Sequence, residues 1–175
     1  MRLDLFVTLV VCRRCMKTRT FLQLGLLLTL FTSPLLQAKD EARISYPSKV
    51  SSAKAKEREK LLSPWMGGTE FDKHLGDMEK QNKQLIYFEY DGAKDLWRGI
   101  TTSAVRFDSG YTYWTMISEL EAAKKLNDEL KEGHVPAFIC RDGNTYTMLF
   151  VHPDHLAAAR KELEALGIGE PKIKK

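Results

Sequence analysis

Residues 135–151 carry the feature that most restricts how this chain can fold: two runs of β-forming residues on either side of Asp142-Gly143. The Asp-Gly pair accepts the positive φ angles of a type I′ turn, and the flanks are rich in Val, Ile, Phe, Tyr and Thr, so the stretch reads as an antiparallel hairpin. Setting Arg141 opposite Asn144 sorts its side chains into two sets. Val135, Ala137, Ile139, Tyr146, Met148 and Phe150 form the expected core face. Pro136, Phe138, Cys140, Thr145, Thr147 and Leu149 form the other, a mixed face expected to be thinly covered or free to bind.

The elements around the hairpin are set by local signals. Ser118 with Glu121 makes a capping box ahead of Leu120, Ala123, Leu126 and Leu130, and Gly133 closes that helix. Pro153 suits the first turn of a final helix that leaves at Gly167. Upstream, Phe71, Leu75 and Met78 keep helical spacing behind Thr69, and residues 85–90 and 96–103 flank a second Asp-Gly at Asp91-Gly92. A further strand runs over 111–117. The order helix, strand, Asp-Gly, strand thus recurs 51 residues apart, a weak internal echo. One domain is expected over 61–169, with a tail over 170–175 containing only a feeble strand.

Residues 16–38 read as a signal peptide: Lys17 and Arg19 precede an apolar run, Ser33-Pro34 breaks it, and cleavage is expected after Ala38, with Met16 the suspected true start. Pro34 interrupts the run, so no stable membrane span is expected after cleavage. The whole chain is formally +4, but removing the leader leaves 22 basic and 22 acidic residues. A neutral chain lacks the electrostatic footprint of a nucleic-acid partner. Of three cysteines only Cys140 remains, so no internal disulfide can hold the fold. Residues 39–60, rich in Lys, Ser and Ala, are expected to form a flexible linker, being too poor in apolar area to offset the entropy of ordering.

Few residues here have the makings of catalysis. His134, His152 and His155 fall near one end of the hairpin and are the candidate metal ligands. Cys140 has no histidine within reach on its strand and reads as a small hydrophobe. Glu89 and Asp91 share a strand face, the only carboxylate pair worth weighing. No Gly-rich phosphate loop is present, and no cofactor is implied. Aromatic residues are dense in the first half of the domain, and Tyr111 and Tyr113 share one face of their strand; with Phe138 they are the candidate ligand-binding residues.

The stretches Tyr111-Thr-Tyr-Trp-Thr-Met-Ile117, Glu119-Leu-Glu-Ala-Ala-Lys-Lys-Leu126, Lys131-Glu-Gly-His-Val-Pro-Ala-Phe138, Thr145-Tyr-Thr-Met-Leu-Phe-Val151 and Ala157-Ala-Ala-Arg-Lys-Glu-Leu163 together resemble the sporulation-related repeat (SPOR) domain. The resemblance covers about residues 111–170. It implies a βαββαβ, ferredoxin-like C-terminal part and an exported binder of peptidoglycan glycan that uses the sheet face away from the helices. The chain departs from that pattern in lacking Gly-Ser-Phe after the first strand and in having His152-Pro-Asp154 where Gly-Pro-Phe is expected. The expected fold is therefore α+β, a mainly antiparallel sheet with helices packed on one face. The expected function is a non-enzymatic binding module, periplasmic or extracellular, with cell-wall glycan the leading ligand. Alternatives are an interaction subunit of an envelope protein complex and a small His-based metal-dependent hydrolase.

Overall fold

A computed structural model describes residues 41–175 except Ser109 and Ile117, so the signal-peptide and start-site readings lie outside the described residues. The elements are β1 (Arg43–Tyr46), a 3-10 turn (Ser52–Lys54), α1 (Ala55–Leu61), α2 (Gly68–Lys80), β2 (Gln84–Asp91), β3 (Leu96–Thr102), β4 (Tyr111–Met116), α3 (Glu119–Lys131), β5 (Val135–Asp142), β6 (Thr145–Val151), α4 (Pro153–Ala165) and β7 (Lys172–Lys174). The fold is α+β with antiparallel sheets: β1 pairs with β7, β2 with β3, and a three-stranded sheet has the order β4-β6-β5. Among the described residues no helix is long and apolar enough to cross a membrane.

The hairpin forms, but its turn lies one residue later than the sequence suggests. Asp142 pairs with Thr145 and Arg141 with Tyr146, leaving Gly143 and Asn144 in the turn. Gly143 has φ +56° and is the only one of the two in the left-handed region. A glycine first in a two-residue loop is the type II′ pattern, which asks for positive φ only where there is no Cβ. The shift preserves the alternation of faces near the turn. Farther along, a bulge between Pro136 and Phe138 reverses it, so Val135 and Ala137 join the set of Phe138 and Cys140.

Both faces of the three-stranded sheet are buried, which corrects the expectation of one bare face. Ile139, Tyr146, Met148 and Phe150 pack with Trp114 and Met116 under Ala122 and Leu126 of α3, with Ala42 and Ile44 closing the layer. On the opposite side Phe138, Leu149 and Val151 meet Tyr87 and Phe88 of β2, Phe71 of α2 and Leu163 of α4. One alternate set of β6 is Tyr146, Met148 and Phe150, and the other carries Leu149 and Val151 beyond its two threonines, so apolar side chains on both sides call for cover. Full burial of each large side chain contributes roughly 1.5 to 3 kcal/mol. The helices consequently divide between the two faces instead of sharing one. β7 pairs with β1 and not with the sheet of β4, β6 and β5, so the ferredoxin-like arrangement is not completed.

Residues 41–60 are not a free linker. Asn127 of α3 accepts from the Ala42 amide and donates to its carbonyl, both at 2.8 Å, as a neighbouring strand would. The Ser48 amide donates to the Ile139 carbonyl at 2.6 Å, and the Ile139 amide returns a 3.1 Å bond to Ser48 Oγ. Arg58 is buried, donating to the carbonyls of Ser51 and Leu166 at 2.8 and 2.9 Å. Apart from Ala42 and Ile44, polar groups with partners distant in the chain tie the segment down. An argument from apolar area alone could not register them.

Candidate functional site

The two Asp-Gly hairpins meet tip to tip. A Cβ placed on Gly92 would lie 3.5 Å from Thr145 Oγ1. The β2–β3 turn is built by Asp91, whose carboxylate accepts from the amides of Ala93 and Lys94 and from Lys94 Nζ at 3.0 Å. These bonds, with that to Lys94 foremost, hold the Asp91 carboxyl below the usual carboxylate range. Between the tips opens a cleft of about 750 Å³. Tyr87, Cys140 and Thr147 line its inner part, and Trp65, Tyr90, Asp142 and Thr145 its mouth.

Trp65 is set in place by pairing along the outer edge of β3. Met66 and Trp97 exchange two backbone hydrogen bonds at 2.8 Å, and the Ser63 amide donates to the Gly99 carbonyl at 2.9 Å. Glycine suits position 99, because a Cβ there would fall 2.8 Å from Leu85 Cδ1 and 3.2 Å from the Phe71 ring. Trp65 remains 40% exposed. The Arg98 guanidinium lies 4.4 Å from its ring centre and is held by Glu89 at 2.8 Å and Glu59 at 2.6 Å. Glu89 also accepts from the Tyr87 hydroxyl at 3.1 Å. At the mouth, the Tyr90 ring packs on Trp97 with centroids 4.5 Å apart.

Cys140, Tyr87, Glu89 and Asp91, titratable groups lining the cleft, are buried or already bonded. Burial, with the Glu89 charge second, pushes the Cys140 thiol up to about 12, so it stays protonated and is a poor nucleophile. The Tyr87 phenol is raised by burial and then by Glu89. Glu89 is committed to Arg98 and Tyr87, and Asp91 to its own turn. What remains available at the mouth is an indole, hydroxyls, and the exposed charges of Arg141 and Asp142.

The ligand-binding trio proposed from sequence is not brought onto an open face. Phe138 is 0% exposed, its ring 5.4 Å from that of Tyr87 and 5.6 Å from that of Phe88, so it belongs to the core. Tyr111 and Tyr113 are half-buried beneath α2 and donate their hydroxyls to Glu79 at 3.1 Å and Asp72 at 2.6 Å. Burial raises both phenols, and these carboxylates raise them further. The histidines are likewise separated in role. His134 Nδ1 bonds Glu129 Oε2 at 2.8 Å; His152 accepts from the Asp154 amide at 3.4 Å as the cap of α4; the His155 ring stands 5.9 Å from Phe107. Among the described residues the group able to share one ion is Glu129, Glu132 and His134, which contains one of the three candidates.

Sequence reasoning did not single out Trp65, which lies outside helix and strand. The repeated Asp-Gly was the available signal, since two like hairpins side by side place two turns at one end.

Comparison of this chain with family models, with curated proteins and with solved structures finds no significant match to any of them.

Proposed function

We propose that this protein is an exported, non-enzymatic binding module that holds a glycan in the cleft between its two hairpin tips, with cell-wall glycan the leading ligand. The observation that carries the reading is a tryptophan left 40% exposed at a cleft whose mouth also offers hydroxyls and the charges of Arg141 and Asp142. Sugar rings offer an apolar face to an indole and hydroxyls to such neighbours. The ligand class is the one implied by the sporulation-related repeat resemblance. The site moves from the sheet face to the cleft, because Tyr111, Tyr113 and Phe138 are occupied in packing.

Co-sedimentation with purified sacculi tests the proposal, with soluble glycan fragments titrated against tryptophan fluorescence. Retention of the parent protein is expected, with Trp65→Ala weakened about tenfold or more, as is common for an aromatic anchor. Tyr111→Phe and Tyr113→Phe should bind like the parent. Absence of retention, or a Trp65→Ala variant that binds normally, sinks the assignment.

A further inference from the structure

Glu129 is the one glutamate buried in the core among the described residues, at 3% exposed. Its Oε1 accepts from Trp114 Nε1 at 2.6 Å, and its Oε2 from Thr112 Oγ1 and His134 Nδ1, each at 2.8 Å. Among the described residues its only ion-pair partner is His134, and no lysine or arginine pairs with it. A carboxylate so deep is favoured by hydrogen-bond donors and by a cation at its side. The chain supplies the rest of a coordination set at the same place. Just beyond α3, Gly133 with φ +89° turns the backbone so that the His134 amide donates to the Glu129 carbonyl at 3.0 Å. That reversal brings the imidazole beside the carboxylate. Glu132, at the exposed end of the helix, adds a second carboxylate, and the three donor atoms lie within 4.8 Å of one another.

We propose that Glu129, Glu132 and His134 form a divalent metal site suited to Zn²⁺, separate from the glycan cleft. One imidazole nitrogen and two carboxylate oxygens, bonded at about 2.0 to 2.2 Å, make three corners of a tetrahedron whose fourth is left for water. The nitrogen ligand disfavours Ca²⁺ and Mg²⁺, which prefer oxygen throughout. Thr112 and Trp114 fix the inner carboxylate from the sheet side, as the outer partners of metal ligands do.

Calorimetric titration of the chelator-treated protein with zinc chloride, paired with tryptophan fluorescence because Trp114 bonds Glu129, tests the site. Expected is one saturable site, weakened about tenfold or more in Glu132→Gln and in His134→Gln. The His152→Ala, His155→Ala double variant should keep the parent affinity. Glu132 is exposed, so its variant keeps the fold and decides the matter even where His134→Gln does not. No saturable binding, or binding that Glu132→Gln leaves unchanged, or loss of binding in the double variant, overturns the proposal.

Discussion

The hairpins β2–β3 and β5–β6 share the dipeptide Asp-Gly at their tips and use it differently. In β5–β6 the glycine opens a two-residue loop, with Asp142 paired to Thr145. In β2–β3 Asp91 pairs with Leu96, the loop is longer, and the left-handed residue is Asp95 at φ +56° rather than Gly92. The two also differ in burial. β6 is flanked by β4 and β5 and covered on both faces, whereas β2 and β3 leave Tyr90 and Trp97 half-buried toward solvent. A turn dipeptide therefore marks where a chain reverses, while the length of the loop and its cover depend on the next few residues and on the elements packed against it.

Core substitutions should separate the hairpins most sharply. Phe138→Ala in β5 is expected to cost about 3 to 5 kcal/mol in urea unfolding, as for other buried phenylalanines. Tyr90→Ala in β2 should cost about 1 kcal/mol, the scale of its pairing with Trp97. Equal losses would break the comparison.

Alkaline pH probes the cleft floor between them. The Cys140 thiol is raised by burial from 9.0 to about 12, so the folded state keeps a proton that the unfolded chain releases. Its stabilisation is complete below about pH 9 and is lost as pH climbs towards 12. Urea midpoints should therefore fall more steeply above pH 9 in the parent than in Cys140→Ala. Iodoacetamide should label Cys140 only on unfolding, and rapid labelling of the native protein would show that the floor is open.

Effects smaller than the loss of Phe138 concern the glycines themselves. Gly143→Ala places a Cβ at positive φ and is expected to cost about 1 to 2 kcal/mol. Gly92 lies outside that region, its nearest neighbour being the movable Tyr90 ring at 3.3 Å. Gly92→Ala should cost less than about 0.5 kcal/mol. Thermal melts of both variants would sharpen the contrast, and equal shifts would return both turns to a common type.

Much of the fold was legible where its cause is local. Ser118 accepts from the Glu121 amide at 3.2 Å, the N-cap half of the capping box, while the Glu121 carboxylate reaches back to the Ser118 hydroxyl at 2.8 Å. Pro153 opens α4, and Gly133 and Gly167 leave their helices at φ +89° and +76°. Thr69 lies inside α2, whose N-cap is Gly67, two residues earlier, with no side-chain cap. Of the candidate metal ligands, His134 is grouped by sequence with His152 and His155, whereas its neighbours in space are Glu129 and Glu132. Phe138 was misplaced because alternation reports that two faces differ, and cannot report that a second hairpin and α2 cover the mixed one.

The sequence by itself determined the turns, the caps and the apolar alternation, since each is decided among residues a few positions apart. Only the tertiary structure decided that Asn127 holds Ala42, that Arg43 pairs with Lys174, and that Trp65 lines one cleft with both turns. Those contacts join segments far apart in the chain. Their formation depends on which surfaces remain uncovered once the local elements exist, and no window of sequence contains that quantity.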